Sequence, residues 1–138
     1  FCVDRHKADF WRLIDEKKID ILFANEAELA AMTGDDDFDA GLRALAPKVP
    51  LLVVTRSEQG AVALANGEQA SVPAEPIDRL VDTTGAGDLF AAGFLAGQAR
   101  GLGLEPSLKL GAIAAAEVIQ HYGARPEQDL KVLANGIL

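Results

Sequence analysis

The sequence predicts an α/β fold in which helices cover a mostly parallel sheet that carries an embedded β-hairpin. Two short apolar runs, residues 19–24 and 51–55, have the length and composition of buried strands. The pair Asn66-Gly67, which stands between two further apolar segments, is typical of a two-residue hairpin turn. Because these strands alternate with segments of helical periodicity, we expect parallel strands joined by helical crossovers.

Apolar spacing and helix-boundary signals define the remaining elements. Gly34 is expected to end the second helix, and the acidic run Asp35-Asp36-Asp37 to cap the third. Because this run lacks the spacing of a calcium loop, we interpret it as a cap and not as a metal site. The hairpin strands are predicted over residues 60–65 and 69–72. The helices are predicted over residues 9–18, 26–33, 38–46, about 88–100, 108–121 with Pro106 in a first turn before it, and 127–134.

Composition and charge favour one globular domain, residues 1–138, and argue against nucleic-acid binding. The chain is 49% hydrophobic and 25% charged, which is enough apolar material for one core. Its net charge of −8 offers no basic footprint for a nucleic-acid backbone, and no apolar run is long enough to span a membrane. The single cysteine, Cys2, fits a reducing cytoplasm. The start at Phe1 instead of Met predicts a chain cut out of a longer protein.

The segment most informative about function is Asp82-Thr83-Thr84-Gly85-Ala86-Gly87-Asp88-Leu89-Phe90. Glycines just before a helix let a ligand approach the backbone closely, and the free N–H groups of the first helical turn attract an anion. Such donors stabilise a phosphoryl group during its transfer. Asp88 follows the last glycine, where a carboxylate can accept the proton of an attacking hydroxyl.

Three other interpretations of this turn compete with the anion site. A Walker-type phosphate loop requires a lysine where Asp88 stands, which excludes it. A dinucleotide-binding turn would match both glycines, but it needs a small residue where the bulky Phe90 stands. In the third interpretation Thr83 or Thr84 caps the helix and the glycines merely permit a tight turn. The residues of the turn alone leave this structural interpretation open.

Residues 82–94 resemble the second signature of the ribokinase/PfkB family of carbohydrate and nucleoside kinases. The resemblance implies a ribokinase-like three-layer fold and transfer of a phosphoryl group from ATP, with Mg²⁺, to a hydroxyl of a small-molecule sugar or nucleoside. It also implies that Asp88 is the catalytic base and that the backbone of Gly85, Ala86 and Gly87 forms the anion hole.

A second resemblance to the family lies at Asn25-Glu26-Ala27-Glu28, which is similar to its Asn-x-x-Glu motif. The resemblance implies that Asn25 and Glu28 help to place the phosphates and Mg²⁺, with Glu28 able to act through water. The structural alternative is a capping box, in which Asn25 is the N-cap of the following helix and Glu28 its third residue.

Two further segments resemble parts of the family's nucleotide site. Residues 55–60 are similar to its Thr-x-Gly-x-x-Gly loop around the phosphates, although Ser57 stands where the family has glycine. Residues 112–116 and 123–126 resemble its adenine-side helix and the loop that follows, although many members have Asn at Ala112. The nucleotide-binding residues that these resemblances imply are Thr55, Arg56, Gly60, Ala112, Ala115 and Gly123.

Some family members bind a monovalent cation, such as K⁺, beside the anion hole. Asp82 and the carbonyl of Thr84 match that site, whereas Glu127 replaces a small polar residue there. A transition-metal site is not expected, because Cys2, His6 and His121 match no zinc spacing and are interpreted as surface or packing residues.

The resemblance covers residues 2–129 and corresponds to the C-terminal half of a typical member, without the substrate-binding and lid part. We therefore expect this chain to be inactive by itself. Several stretches look most like bacterial adenosine kinase-type members, which favours adenosine as substrate ahead of ribose- or fructose-type sugars. Two alternatives stay open: an NAD-binding oxidoreductase domain, and a non-catalytic half that assembles with a partner chain. A homodimer is the assembly to test.

Overall fold

The computed structural model describes residues 2–138, which form two compact units. The first unit contains the residues up to Arg56 together with Ala63–Gln69, and the second contains Ser57–Val62 and Ala70–Leu138. The sheet has four strands, which lie side by side in the order of the chain. None of the helices within the described range has the length and apolar character needed to cross a bilayer.

Two parallel strands, β1 (Ile21–Asn25) and β2 (Leu51–Thr55), organise the first unit. The strands β1 and β2 pair in parallel, with Ile21 opposite Leu51 and Asn25 opposite Thr55. β2 is almost entirely buried, which explains its unbroken run of Leu and Val. The elements of this unit are α1 (Cys2–Asp15), β1 (Ile21–Asn25), α2 (Glu26–Thr33), α3 (Phe38–Leu45) and β2 (Leu51–Thr55).

The boundaries of α2 and α3 follow from their capping residues, as predicted. Gly34 ends α2 in the left-handed conformation, with φ 74°, and donates its N–H to Ala30. Asp37 caps α3 and accepts a hydrogen bond from the N–H of Ala40 at 2.7 Å. The interpretation of the acidic run as a helix cap is therefore confirmed.

The predicted hairpin is also confirmed. Strands β3 (Ala61–Ala65) and β4 (Glu68–Val72) are joined by Asn66 and Gly67, whose φ angles of 50° and 80° suit a two-residue turn. The strands β1 and β2 are parallel and the hairpin extends the same sheet, so the sheet is mixed.

Backbone-close packing of two helices forms the centre of the second unit. These are α4 (Ala86–Ala99) and α5 (Leu104–Val118). A Cβ added to Gly93 would lie 2.5 Å from the carbonyl oxygen of Leu110, and one added to Gly97 would lie 2.9 Å from the Cα of Ser107. Phe90 is 5% exposed and Phe94 is fully buried, so α4 also carries large core side chains.

The predicted limits of three helices differ from the structure. α1 begins at Cys2, seven residues before the predicted start, and contains a kink at His6 with φ −122°. α5 begins at Leu104, because Gly103 takes the N-cap position, so that Pro106 lies in its first turn as predicted; the helix ends at Val118, three residues before the predicted end. The last helix, α6, covers only Leu130–Leu133, since its cap is Asp129 and not a residue before Glu127.

The substitution Gly93→Ala tests the contact between α4 and α5. We expect it to lower the free energy of unfolding by about 1–3 kcal/mol, because the new methyl group would meet backbone atoms that cannot turn aside. The measurement is urea unfolding followed by circular dichroism.

Gly87→Ala in the same helix is the matched control, because a Cβ at Gly87 meets nothing within 4 Å. Equal unfolding free energies for the two variants would contradict backbone-close packing of α4 on α5.

Candidate active site

The turn before α4 leaves the start of the helix without a side-chain cap. Gly85 is the N-cap residue, with φ 80°, and no side chain accepts a hydrogen bond from the first turn of the helix. The interpretation in which Thr83 or Thr84 caps the helix is therefore wrong. Backbone N–H groups at an uncapped helix start, together with the helix dipole, provide donors and positive potential for an anion.

Gly85 and Gly87 differ in the space that surrounds them. A Cβ on Gly85 would lie 2.6 Å from the Cβ of Ala124, so the positive φ and the close neighbour both exclude a side chain. A Cβ on Gly87 would meet nothing within 4 Å, so the space in front of this residue is open. Glycine at position 85 is therefore explained by the packing of the fold. Glycine at position 87 is not explained by packing, because no protein atom lies within 4 Å of a Cβ placed there.

Asp88 lies in the first turn of α4, as the third helical residue, and its side chain is exposed. A carboxylate near a helix N-terminus is stabilised by the dipole. It follows Ala86, whose N–H donates to the carbonyl of Thr83 at 3.2 Å, and Gly87 in the same turn, where it could accept a proton from a hydroxyl bound next to an anion.

Asp82 fastens the turn before α4 to the loop that follows α5. Its Oδ1 accepts the N–H of Thr84 at 2.9 Å, and its Oδ2 accepts the N–H of Gly123 at 3.1 Å. Hydrogen bonds from Thr84, and then from Gly123, lower the pKa of Asp82 below its usual value, so the carboxylate stays ionised. Asp82, Gly85, Ala86, Gly87, Asp88 and Gly123 are thereby brought together in the second unit.

The first unit brings together the other group of predicted site residues. Asn25 Oδ1 accepts the N–H of Glu28 at 2.8 Å, and Glu28 Oε2 accepts the N–H of Asn25 at 2.8 Å. The predicted capping box is therefore present in full. Asn25 and Thr55 are opposite each other at the carboxyl ends of β1 and β2, the edge at which open α/β sheets bind ligands.

Arg56 is held by two partners that the sequence did not reveal. Its Nε and Nη2 donate to the two carboxylate oxygens of Glu26, each at 3.3 Å. Its guanidinium also stacks over the ring of Phe38, 3.7 Å from the centroid. These contacts tie the end of β2 to the starts of α2 and α3.

The loop after β2 shows why glycine is favoured at two of its positions. Gly60 has φ 89°, and a Cβ there would lie 2.0 Å from the carbonyl oxygen of Val72, so no other residue fits. Ser57 has φ 50°, a conformation that glycine adopts without strain, although this chain has serine.

On the predicted adenine side, Ala112 is buried and Ala115 half-buried within α5.

The sequence analysis did not predict the ion pair of Glu117 and His121 near the end of α5. Glu117 is 3% exposed, and its Oε1 lies 3.2 Å from Nε2 of His121. The same oxygen accepts the N–H groups of Glu127 and Gln128, each at 2.9 Å. The available signal was a glutamate at the end of the apolar second half of α5, four residues before a histidine.

The pKa values of this pair move apart. Burial alone would raise the pKa of Glu117, but the hydrogen bonds from Gln128, His121 and Glu127 outweigh it and lower the pKa. Burial would likewise lower the pKa of His121, but its hydrogen bonds with Glu117 and Tyr122 and the negative charges of Glu127 and Glu117 together outweigh that effect and raise the pKa. The charged pair is therefore favoured.

The described carboxylates do not form a preformed cage for a metal ion. Within residues 2–138, no group of three or more His, Cys, Asp or Glu side chains is placed to hold a metal ion. Mg²⁺ is commonly held by one or two carboxylates, substrate phosphates and waters. Glu28, exposed at the start of α2, has the chemistry for such a ligand. At the predicted cation position, Oε1 of Glu127 lies 3.8 Å from Nδ1 of His121.

Comparison with known proteins decides the family. The model of the pfkB family carbohydrate kinases matches residues 4–130 of this chain. The chain belongs to the PfkB family. The kinases of this family are phosphotransferases, which agrees with the resemblance of residues 82–94 to the family signature.

Similar PfkB-family proteins include nucleoside and sugar kinases. The cytidine kinase of Thermococcus kodakarensis is 41% identical over 77% of this chain and 39% of its own length. A solved structure of adenosine kinase from Sinorhizobium meliloti has a TM-score of 0.94 and 44% identity over 97% of this chain and 41% of its own length. A probable sugar kinase from Rhizobium etli has a TM-score of 0.97 and 45% identity over all of this chain and 42% of its own length.

These comparisons confirm the predicted ribokinase-like α/β fold as a partial fold. The chain spans about two fifths of the length of the relatives it matches.

The pH dependence of stability tests the ion pair of this PfkB-family chain. Glu117 stabilises the folded chain above its usual pKa of 4.5, and this contribution is lost as the pH falls through its lowered folded value. His121 stabilises the folded chain below its usual pKa of 6.5, and this contribution is lost as the pH rises through its raised folded value. We expect His121→Gln to be most destabilising between pH 4.5 and 6.5.

The measurement is urea unfolding of the wild type and of His121→Gln across this pH range and on both sides of it. His6→Gln, on the exposed surface of α1, is the control. A destabilisation by His121→Gln that does not change with pH would show that the pair is not ionised in the folded chain.

Proposed function

We propose that the protein containing this chain transfers the γ-phosphoryl group of ATP to a hydroxyl of a nucleoside or sugar. In this proposal Asp88 takes the proton from the attacking hydroxyl, and the backbone of Gly85, Ala86 and Gly87 holds the transferring group. The observation that carries the proposal is the uncapped start of α4, with open space at Gly87 and a carboxylate in the same turn.

ATP and Mg²⁺ are the proposed cofactors. A related ribokinase from Arabidopsis thaliana, 34% identical, has been solved in complex with ribose and ATP. Asn25, Glu28 and Thr55 lie at one strand edge, and we assign them to the phosphates and Mg²⁺. We assign Arg56 and Gly60 to the phosphate loop, and Ala112, Ala115 and Gly123 to the adenine side. Monovalent-cation binding at Asp82 is a further part of the proposal.

Adenosine is the substrate we propose to test first, with cytidine, ribose and fructose next. Support comes from the adenosine kinase structure that is 44% identical and from an adenosine kinase of Saccharomyces cerevisiae that is 32% identical. The cytidine kinase and a Klebsiella pneumoniae fructokinase, each 41% identical, keep the other substrates in the panel.

Calorimetric titration of this chain with Mg·ATP, and separately with NAD, tests the nucleotide site. We expect Mg·ATP to bind and Gly87→Ala to weaken that binding, because a methyl group would occupy the open space at the helix start. Loss of one hydrogen bond to a charged group costs about 1.5–3 kcal/mol, or roughly ten- to a hundred-fold in Kd. NAD binding without ATP binding would instead favour the oxidoreductase alternative.

Glu28→Gln separates the proposed Mg²⁺ role from helix capping. Glutamine at the third helical position can still accept the N–H of Asn25, so the cap is kept while the charge is lost. We expect weaker binding of Mg·ATP with unchanged unfolding free energy. Glu105→Gln, an exposed glutamate in the first turn of α5, is the control. Equal affinities for both variants would remove Glu28 from the Mg²⁺ site.

Asp88→Asn in the intact protein tests the proposed base. We expect kcat to fall by about 10²–10⁴-fold, the usual contribution of a general base, while Mg·ATP still binds. The measurement is steady-state kinetics with adenosine as the phosphoryl acceptor. Wild-type kcat in this variant would rule out Asp88 as the base. We also expect no turnover from the 138-residue chain alone, so measurable activity of that chain would contradict the proposed inactivity.

A further inference from the structure

We infer that Glu117 is a positioning residue, which sets the geometry of the start of α4 through the loop that follows α5. All the residues concerned, 82–88 and 117–128, belong to the second unit. The effect on nucleotide binding rests on the function proposed above, whereas the structural coupling does not depend on it.

One oxygen of Glu117 holds the far end of the loop. Oε1 accepts the N–H groups of Glu127 and Gln128, each at 2.9 Å, and lies 3.2 Å from Nε2 of His121. The Glu117 side chain is only 1% exposed. Because a buried carboxylate is unfavourable unless it is hydrogen-bonded, the carboxylate and these donors hold each other in place.

The other oxygen of Glu117 is unfavourable for the fold. Within the described part of the chain, the buried Oε2 has no hydrogen-bond partner. An unsatisfied buried oxygen destabilises a fold, and an apolar side chain at this position would avoid that loss. The hydrogen bonds of Oε1 to the loop are what an apolar side chain could not provide.

The near end of the same loop contacts the turn before α4. The N–H of Gly123 donates to Asp82 Oδ2 at 3.1 Å, and Oδ1 of the same carboxylate accepts the N–H of Thr84 at 2.9 Å. Ala124 lies so close to Gly85 that a Cβ on the glycine would be 2.6 Å from the alanine Cβ. A shift of the loop must therefore move Thr84 or Gly85, from which α4 starts.

Amide NMR signals of this chain test the coupling. The variants are Glu117→Ala, which removes the acceptor, and Glu117→Gln, whose amide oxygen can still accept the loop N–H groups. We expect Glu117→Ala to shift the signals of Thr84 and Gly87 as well as those of the loop. We expect Glu117→Gln to restore them most of the way towards the wild type. Glu105→Gln, at the exposed start of α5, is the control.

Shifts that remain confined to Glu127 and Gln128 in Glu117→Ala would overturn the inference, because a purely local role predicts that pattern. Should Glu117→Ala fail to fold, Glu117→Met carries the test, because an apolar side chain of similar length fills the buried position and also lacks the acceptor. In that case, shifts confined to Glu127 and Gln128, with Thr84 and Gly87 as in Glu105→Gln, would overturn the inference.

Mg·ATP titration of the same variants gives the second measurement. Coupling through a packed loop typically amounts to about a 2- to 30-fold change in affinity. We expect Kd to rise by this amount in Glu117→Ala and to be largely rescued in Glu117→Gln. An unchanged Kd together with unshifted Thr84 overturns the inference. If the wild-type chain does not bind Mg·ATP, the nucleotide-site proposal fails for this chain, and the NMR comparison alone decides the inference.

Discussion

The backbone-close packing of α4 on α5 is the constraint on which the candidate anion hole depends. Gly93 and Gly97 approach the backbone of Leu110 and Ser107 at distances that no Cβ would allow. Contacts of this kind have little freedom to adjust, because interiors are densely packed and backbone atoms cannot rotate away. The start of α4 consequently lies in a fixed position beside the loop that leaves α5.

Near the start of α4, two acidic side chains hold loops in place through hydrogen bonds, although the proposed ligand is itself an anion. With a net charge of −8, the chain has no overall attraction for a phosphate. Asp82 and Glu117 each accept backbone N–H groups and so use their charge to hold loops. The attraction for an anion then comes from the N–H groups and dipole at the start of α4, which need no lysine.

The sequence predicted helix caps and turns, because neighbouring residues determine these features. The cap at Asp37 and the Asn66-Gly67 turn were predicted correctly, and the capping box at Asn25 was given as the structural alternative, because each depends on residues within a few positions. The close contact of Gly85 with Ala124 and the pairing of Arg56 with Glu26 and Phe38 were not predicted. Each joins residues far apart in sequence, and no propensity or periodicity encodes such contacts. The roles of the site residues stay predictions, since fold and family alone do not test them.

The structural and functional interpretations of Glu28 are compatible. Its Oε2 accepts the N–H of Asn25 and so completes the cap of α2. An ionised carboxylate has two oxygens and about four acceptor positions, so one hydrogen bond leaves acceptor capacity for Mg²⁺ or its waters. The cap also fixes the rotamer of the side chain at the strand edge where Asn25 and Thr55 meet. A preorganised carboxylate loses less conformational entropy on binding a metal, so the capping box supports the proposed role.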